Sequence, residues 1–279
     1  MESFFQIFLL SVITRGVIGL SLEQSHQNNA RDTTPVTPAG FQLAFGPLTA
    51  ATSAPFYMGF VSIDTYDVAA CAALCKSRDP DSVGGACQFF NIWTPVVNGT
   101  TSTSSCSLYS RPTDASTATN IPDPESGLAV SLSRGYVRTS VDPNGGFEST
   151  PSGWTVSLGS AISTNSAAIA HTGTGVARLL SVPAVPATLA PAAALATVSG
   201  SPYVITFFEE TTNITASGNA TLAVKWNGNL VFSVDGFFGG SWRYHSIPVT
   251  AVGADTLQFS ATGTTIAEID VDDVYVLIA

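Results

Sequence analysis

All four cysteines of this 279-residue chain lie within one short segment, and their spacing constrains the fold more than any other feature. Cys71 and Cys75 fall in an alanine-rich stretch that Asp67 can cap, which predicts a helix. The two thiols share one face of that helix, because residues four apart are one turn apart. Cys87 and Cys106 each begin an apolar run that predicts a strand. Two disulfides would therefore join one helix to two strands, and the residues alone leave three pairings open.

A zinc site is the alternative use of four cysteines. Cys-x3-Cys followed by two isolated cysteines is a poor zinc spacing, and no histidine lies between residues 27 and 170. Disulfides are typical of secreted proteins, and the N-terminus of the chain favours secretion, as described next. We therefore expect disulfides and no metal at the cysteines.

Residues 1–21 are predicted to be a secretory signal peptide, with an uncleaved apolar anchor as the alternative. The run from Phe4 to Ile13 is almost continuously apolar but too short to span a bilayer, and small residues follow it. Residues 22–40 are polar and are predicted to be a tail or linker. These features predict a protein that is secreted, extracellular or in the cell wall, with no membrane span after cleavage of the signal.

Three Asn-x-Ser/Thr sequons agree with secretion. They begin at Asn98, Asn213 and Asn219, each in a polar, turn-like context. We predict all three as glycosylation sites.

Residues 41–140 contain several motifs in the order typical of a PAN/Apple module, which this segment resembles over residues 57–138. The motifs are Tyr66-Asp67, Cys71 and Cys75, Cys87-Gln88-Phe89-Phe90-Asn91, and Cys106-Ser107-Leu108-Tyr109. The resemblance implies a small α+β module with nested disulfides, Cys71–Cys106 and Cys75–Cys87. It also implies binding of proteins or carbohydrates without catalysis.

Residues 141–279 contain no cysteine and consist of short alternating apolar runs separated by Gly, Asn and Pro, which predicts a second, all-β domain. Its motifs are Asn144-Gly-Gly-Phe-Glu148, Gly153-Trp-Thr-Val156, Ala170-His-Thr-Gly173, Tyr203-Val-Ile-Thr-Phe-Phe208, Leu222-Ala-Val-Lys-Trp226, Ser241-Trp-Arg-Tyr244, Leu257-Gln-Phe-Ser260 and the Asp272-Asp273 strand. Their order resembles carbohydrate-binding modules of the galactose-binding-like type, which implies an antiparallel β-sandwich, or jelly roll. A PAN/Apple-like module followed by such a sandwich resembles secreted fungal proteins.

Two acidic motifs stand near the ends of this second half. Glu148 closes the first motif, and Asp272 and Asp273 lie in a final run that predicts a strand. Alternation puts Asp272 on the same face as Val274, so its carboxylate enters an apolar layer if that face is buried. A buried carboxylate needs a cationic partner or loses its charge, and basic residues are scarce here.

A bound metal ion would supply that counter-charge, and oxygen ligands of this kind suit Ca²⁺. The resemblance implies a structural Ca²⁺ that joins Glu148 to Asp272, completed by carbonyl groups near the His171 turn, with Asp273 as a further ligand candidate. The alternative is that these carboxylates are solvated charges at strand ends.

Aromatic rings that could stack on sugar rings are the candidates for a binding site. We name Tyr244, Trp226 and Trp242, and rank Tyr244 first because it lies in a polar strand. A core position is expected for Trp154 and Trp242, and the alternation around Trp226 favours the core there as well. His171 is expected to be structural.

The net charge of −10 argues against nucleic acids and anionic lipid surfaces as partners. The chain shows no Gly-x-Ser-x-Gly, His-Glu-x-x-His, phosphate-loop or dinucleotide-binding motif, so no catalytic residue is predicted. We predict a secreted, non-catalytic protein that binds polysaccharide or glycan, or is associated with the cell wall. The alternative is an extracellular adhesion or structural protein that binds other proteins, and a third is a glycoside hydrolase with two catalytic carboxylates.

Overall fold

Antiparallel strands dominate the computed structural model, which describes residues 35–122, 124–157, 159–214, 218–236 and 240–279. The predicted signal peptide (1–21) and most of the predicted tail lie outside the described residues. The first half of the described chain forms one sheet, in the strand order β1-β6-β3-β5-β2 with β4 paired to β3. Its strands are Phe41–Leu48 (β1), Tyr57–Ile63 (β2), Phe89–Val97 (β3), Thr100–Thr101 (β4), Ser104–Tyr109 (β5) and Leu128–Arg138 (β6).

The predicted helix is present as α1, Val68–Ser77. The Asp67 side chain accepts a hydrogen bond from the amide of Ala70 at 3.0 Å, so it caps the helix as expected. Both helical thiols are buried and point at the sheet. The bonds Cys71–Cys106 and Cys75–Cys87 are both present, which is the nested pairing implied by the resemblance.

The helix covers only one face of this first sheet. On that face Cys71, Phe90 and Tyr136 belong to one buried cluster. The opposite face has a smaller cluster, centred on Phe45 and Phe89, that covers only part of it. The first half therefore has a one-sided core, with part of a sheet face left open.

The second half folds as two five-stranded sheets that face each other, which confirms the predicted β-sandwich. One sheet has the order β13-β12-β15-β10-β7 and the other β14-β11-β16-β9-β8. The strands are Trp154–Val156 (β7), Ala161–Ser163 (β8), Val176–Ser181 (β9), Ala187–Pro191 (β10), Pro202–Ile214 (β11), Ala220–Trp226 (β12), Asn229–Gly236 (β13), Arg243–Thr250 (β14), Leu257–Gly263 (β15) and Ala267–Ile278 (β16).

The start of the second half runs beside its last strand. The amide of Val141 donates to the carbonyl of Val276, and the amide of Val274 donates to the carbonyl of Gly145, both at 3.0 Å. The segment 141–147 is irregular rather than a strand, but it brings the two predicted acidic motifs to one end of the sandwich.

Residues 36–279 pack as one unit, because the first sheet contacts the last strand of the sandwich. The Arg138 guanidinium donates to the carbonyl of Ile278 at 3.0 Å, and the Lys76 ammonium donates to the carbonyl of Ala279 at 3.1 Å. Gly85 lies against the ring of Tyr244, where a Cβ atom would come within 2.8 Å of it. The two halves are therefore held in a fixed relation.

Candidate functional site

The turn that begins at His171 holds both carboxylates of the closing strand. The amides of His171 and Thr172 donate to Asp272 Oδ2 at 2.9 and 3.2 Å. His171 Nδ1 lies 2.7 Å from Asp273 Oδ2, and the Thr172 hydroxyl donates to Asp273 Oδ1 at 2.8 Å. Asp272 is fully buried, so these backbone donors supply much of what a buried carboxylate needs. His171 is structural, in agreement with the prediction.

Glu148 binds the other end of the same turn. Its carboxylate accepts from the amides of Thr174 and Gly175 and from the Thr174 hydroxyl, each at 3.0 Å. Gly173, directly before Thr174, has φ +57°, and a Cβ there would collide with the Glu148 carboxylate, which explains the glycine. Glu148 and Asp272 therefore meet through one turn, although they do not contact each other directly.

A cavity of about 350 Å³ opens beside this turn, and three acidic residues, Asp142, Glu148 and Asp273, are among those that line it. Glu148 and Asp273 both line it, and a Cβ on Gly146 would lie 3.7 Å from Glu148 Cγ and from Asp273 Oδ1. Arg111 of the first half lines the same cavity; burial lowers its pKa, while Asp273 acts in the opposite direction. Arg111 is thus a counter-charge that the sequence did not reveal.

The oxygen donors at this cavity fit the ligand chemistry of Ca²⁺. Within the described residues, however, no group of three or more His, Cys, Asp or Glu side chains is placed to hold a metal. An ion here would take Glu148 and Asp273 together with backbone carbonyls. Asp272, which was predicted as a ligand together with Glu148, is fully buried and does not line the cavity.

Two carboxyl groups near this turn have raised pKa values. Desolvation, and then the neighbouring charge of Asp273, raise the pKa of Asp272 to about 8. Desolvation raises the pKa of Asp142 to about 6, although hydrogen bonds from the Ser140 hydroxyl and the Val276 amide act against it. This end of the sandwich therefore concentrates costly buried acid groups.

Two of the three aromatic residues predicted to stack on sugar, Trp226 and Tyr244, are covered by other parts of the protein and cannot reach a ligand. Trp226 is 5% exposed and its indole donates to the carbonyl of Thr250 at 3.1 Å, so it belongs to the sandwich core. Its alternation with Leu222 and Val224, both buried, explains the placement. Trp154 is likewise in the core, as expected.

Tyr244 is the second correction, because it is not an exposed platform. Its ring packs on Phe208 at 5.2 Å between centroids and lies under Gly85 of the first half. The neighbouring Arg243 and His245 point to the opposite side of the strand, where both pair with the buried carboxylate of Glu209. The polar pattern that suggested exposure thus arises from an internal ion pair and a contact between the two halves.

Trp242 is half-buried on the outer face of the sheet that contains β11 and β16. The His171 ring stacks on Phe208 at 3.6 Å, and the Trp242 ring is tilted against His171 at 5.5 Å. Trp242 directly precedes β14, whose first residue, Arg243, pairs with Glu209 of β11. The core position expected for Trp242 is therefore wrong, and of the three predicted rings this one lies on an outer sheet face.

A row of charged side chains runs across the strands β9, β16 and β11 on the same sheet face as Trp242. Arg178 of β9 pairs with Asp270 of β16, which pairs with Glu210 of β11. Arg178 Nε lies 3.1 Å from Asp270 Oδ1 and 2.9 Å from Glu268 Oε1. We call these four side chains, Arg178, Glu210, Glu268 and Asp270, the Arg178 row.

Electrostatics in the Arg178 row favour polar ligands. The hydrogen bond to Asp270 raises the pKa of Arg178, so this guanidinium stays charged. Desolvation, and then the charges of Asp270 and Glu209, raise the pKa of Glu210. This row was not predicted from the sequence, where its one sign is the alternation of Glu268, Asp270 and Asp272 along the last strand.

The sequons differ in what the structure describes. Asn98 and Asn219 are exposed, Asn98 in the β3–β4 turn and Asn219 just before β12. Asn213 lies in β11, and its side chain is outside the description. Glycosylation at the three sites stays a prediction.

None of the helices in the described residues is both long and apolar enough to cross a bilayer.

No protein-family model matches this chain, and no curated protein is significantly similar to it in sequence. Solved structures resemble about half of it. TmCBM61 in complex with beta-1,4-galactotriose is 18% identical with a TM-score of 0.37, covering 50% of this chain and 99% of its own. The CBM22-1 xylan-binding domain of Paenibacillus barcinonensis Xyn10C is 15% identical with a TM-score of 0.35, covering 50% and 97%.

A third solved structure is the K3 cleaved adhesin domain of Lys-gingipain from Porphyromonas gingivalis. It is 13% identical with a TM-score of 0.39, covering 50% of this chain and 100% of its own. Likenesses at these scores support no conclusion about ligands, so the conclusions below rest on the contacts within the chain.

Proposed function

We propose that this protein is a secreted, non-catalytic, glycan-binding protein of the extracellular space or cell wall, and that its sandwich binds polysaccharide across the Arg178 row. The observation that carries the proposal is the row itself. One guanidinium, that of Arg178, and three carboxylates lie side by side on the outer face of this sheet. Arg178 and Glu268 are partly exposed and Asp270 is fully buried, and the half-buried Trp242 ring lies on the same face. Such pairs can donate to and accept from neighbouring sugar hydroxyls, while the ring packs on the apolar CH face of a sugar.

Retention on insoluble polysaccharide tests this function. We expect the full chain to bind at least one of xylan, β-1,4-galactan, cellulose or chitin, with soluble oligosaccharide competing. Glu210→Gln and Trp242→Ala should each weaken binding about tenfold, since a charge-assisted hydrogen bond or a stacked ring contributes roughly 1.5 kcal/mol. Asp235→Asn, an exposed carboxylate on the opposite sheet, is the matched control and should leave binding unchanged.

Two results would overturn the proposal. Failure to bind any of these polysaccharides would favour the alternative, an adhesion protein that binds other proteins. Release of reducing sugar that is abolished by Glu210→Gln would instead make the row the site of a glycoside hydrolase.

We further propose a structural Ca²⁺ at the cavity beside the His171 turn. Glu148 and Asp273 would hold it, because both line the cavity and both lie next to Gly146. When bound, the ion would neutralise these carboxylates and tie the opening segment to the closing strand. Its proposed role is in stability and not in chemistry.

A further inference from the structure

The first half contains a groove of about 490 Å³ on the sheet face that α1 leaves open. Its floor is β5, and its walls come from β2 and β3 on either side. This volume lies within the range of about 300–1,000 Å³ that is typical of small-molecule sites. All residues that line the groove belong to the first half, so it is separate from the proposed site on the sandwich.

Strand register places two aromatic rings on opposite sides of a hydroxyl-lined floor. Ser105 of β5 pairs with Ser62 on one side and with Trp93 on the other. Two residues further along β5, Ser107 pairs with Phe60, and the Trp93 indole donates to the Ser107 hydroxyl at 3.4 Å. Because neighbouring strands are about 4.8 Å apart, the walls that carry Phe60 and Trp93 stand about 10 Å apart.

The small floor is specific to this face of the central strand. Cys106 and Leu108 of β5 point to the helix side and are buried there, whereas Ser105 and Ser107 face the groove. Central strands are usually rich in β-branched and aromatic residues, so serines here leave room that larger side chains would fill. The Phe60 ring is 63% exposed on this face, which is costly unless something covers it.

The groove also presents a buried polar group with nothing to bind. Thr52 lines the groove, its residue is 5% exposed, and its buried hydroxyl has no hydrogen-bond partner among the described residues. Thr52 is fixed in place, because its amide donates to Asn91 Oδ1 at 2.9 Å and its carbonyl accepts from the Tyr109 hydroxyl at 2.8 Å. A rigid, unsatisfied buried hydroxyl is expected to have a partner that is missing from the chain itself.

None of the residues that line the groove, all of them described, carries a charge. An anionic or cationic ligand would therefore enter without a counter-charge, which is unfavourable. Rings on two walls, hydroxyls on the floor and no charge together match an uncharged sugar chain, whose rings have an apolar face and an edge of hydroxyls. We propose that this groove is a second glycan site, which binds a neutral oligosaccharide between Phe60 and Trp93.

Isothermal titration calorimetry on the full chain tests this site with three neutral probes, cellohexaose, xylohexaose and laminarihexaose, and one charged probe, hexagalacturonate. We expect binding of at least one neutral hexaose, and no binding of hexagalacturonate that is sensitive to Phe60→Ala. Phe60→Ala and Trp93→Ala should each weaken neutral binding about tenfold. Val61→Ala is the matched control, since Val61 neighbours Phe60 but pairs with Cys106 on the helix side.

This inference stands apart from the proposed function of the sandwich. Glu210→Gln should not change the affinity of the groove, so the loss of one site leaves the other measurable. Phe60 is exposed, and thermal unfolding should show that Phe60→Ala folds normally. The proposal is overturned if no neutral hexaose binds at millimolar concentration, or if the bound one is insensitive to both Phe60→Ala and Trp93→Ala.

Discussion

The two halves of the described chain bury their apolar side chains in different ways. The first half has one sheet, a single helix on one face and two disulfides between helix and sheet. The second half has two sheets that cover each other and needs no covalent bond. A one-sided sheet leaves a face open for a neutral groove, whereas the sandwich offers a ligand only the outer surfaces of its sheets.

The open faces differ in charge as well as in shape. The groove of the first half is lined by hydroxyls and rings, while the Arg178 row is built from ion pairs. Two glycan sites of such different character would read different parts of a sugar chain. In the first half, disulfides hold a single helix on one face of the sheet, so part of the other face can stay uncovered. In the sandwich, the inner faces of both sheets are used for packing.

The largest expected effect comes from removing a disulfide bond of the first half. The paired change Cys71→Ala and Cys106→Ala opens a bond that spans 35 residues, which should cost about 4 kcal/mol of unfolding free energy. Hydrogen exchange followed by mass spectrometry should show lost protection in β3 and β5, with β11 and β16 protected. An equal loss of protection in the sandwich strands would show that the two halves unfold together, and that the disulfide does not stabilise the first half alone.

Both proposed Ca²⁺ ligands, Glu148 and Asp273, belong to the sandwich, although Arg111 of the first half lines the same cavity. A ligand present at 100 times its dissociation constant stabilises the folded state by about 2.7 kcal/mol. We therefore expect EDTA to lower the melting temperature and Ca²⁺ to restore it, and both Glu148→Gln and Asp273→Asn to abolish the response. Glu125→Gln in the first half is the control for lost charge. A melting curve unaffected by EDTA would reject the ion.

A smaller effect is expected at Asp142, where the chain passes between the halves. Its pKa is raised to about 6 in the folded protein, so the folded state binds this proton more tightly than the unfolded chain. Stability from this group is therefore present below about pH 4 and is lost as pH rises to about 6.

Urea unfolding in EDTA at pH 4.5 and pH 7 measures this effect. The native protein should lose about 2 kcal/mol more between these pH values than the Asp142→Asn variant, which cannot titrate there. Equal losses in both proteins would show that this carboxyl has no raised pKa.

Much of the fold was predictable from local pattern. The alanine-rich run and the Asp67 cap predicted α1, and the spacing of Cys71 and Cys75 predicted which side of it is buried. Alternation predicted the buried position of Trp226. These predictions succeed because helix and strand periods fix which side chains share a face, whatever lies across from them.

The candidate sites were predicted less well, since they depend on neighbours distant in sequence. Tyr244 looked exposed because its flanking residues are polar, but Arg243 and His245 pair internally with Glu209 while the first half covers the ring. Asp272 was expected to find a cation or to lose its charge, and the structure shows hydrogen bonds to it from amides of a turn about 100 residues earlier in the chain. A metal ion at this carboxylate stays a prediction.

The sequence by itself determined the element types, a first half with two disulfides and an all-β second half, because those depend on residue periodicity and on the positions of the cysteines. The pairing of the disulfides and the sandwich arrangement were implied by resemblance to known families. Tertiary structure alone decided which faces stay open, which acids find donors, and that Arg178 lines up with Asp270 and Glu210. Register and packing between remote strands set those contacts, and no pattern within a single strand encodes its partner.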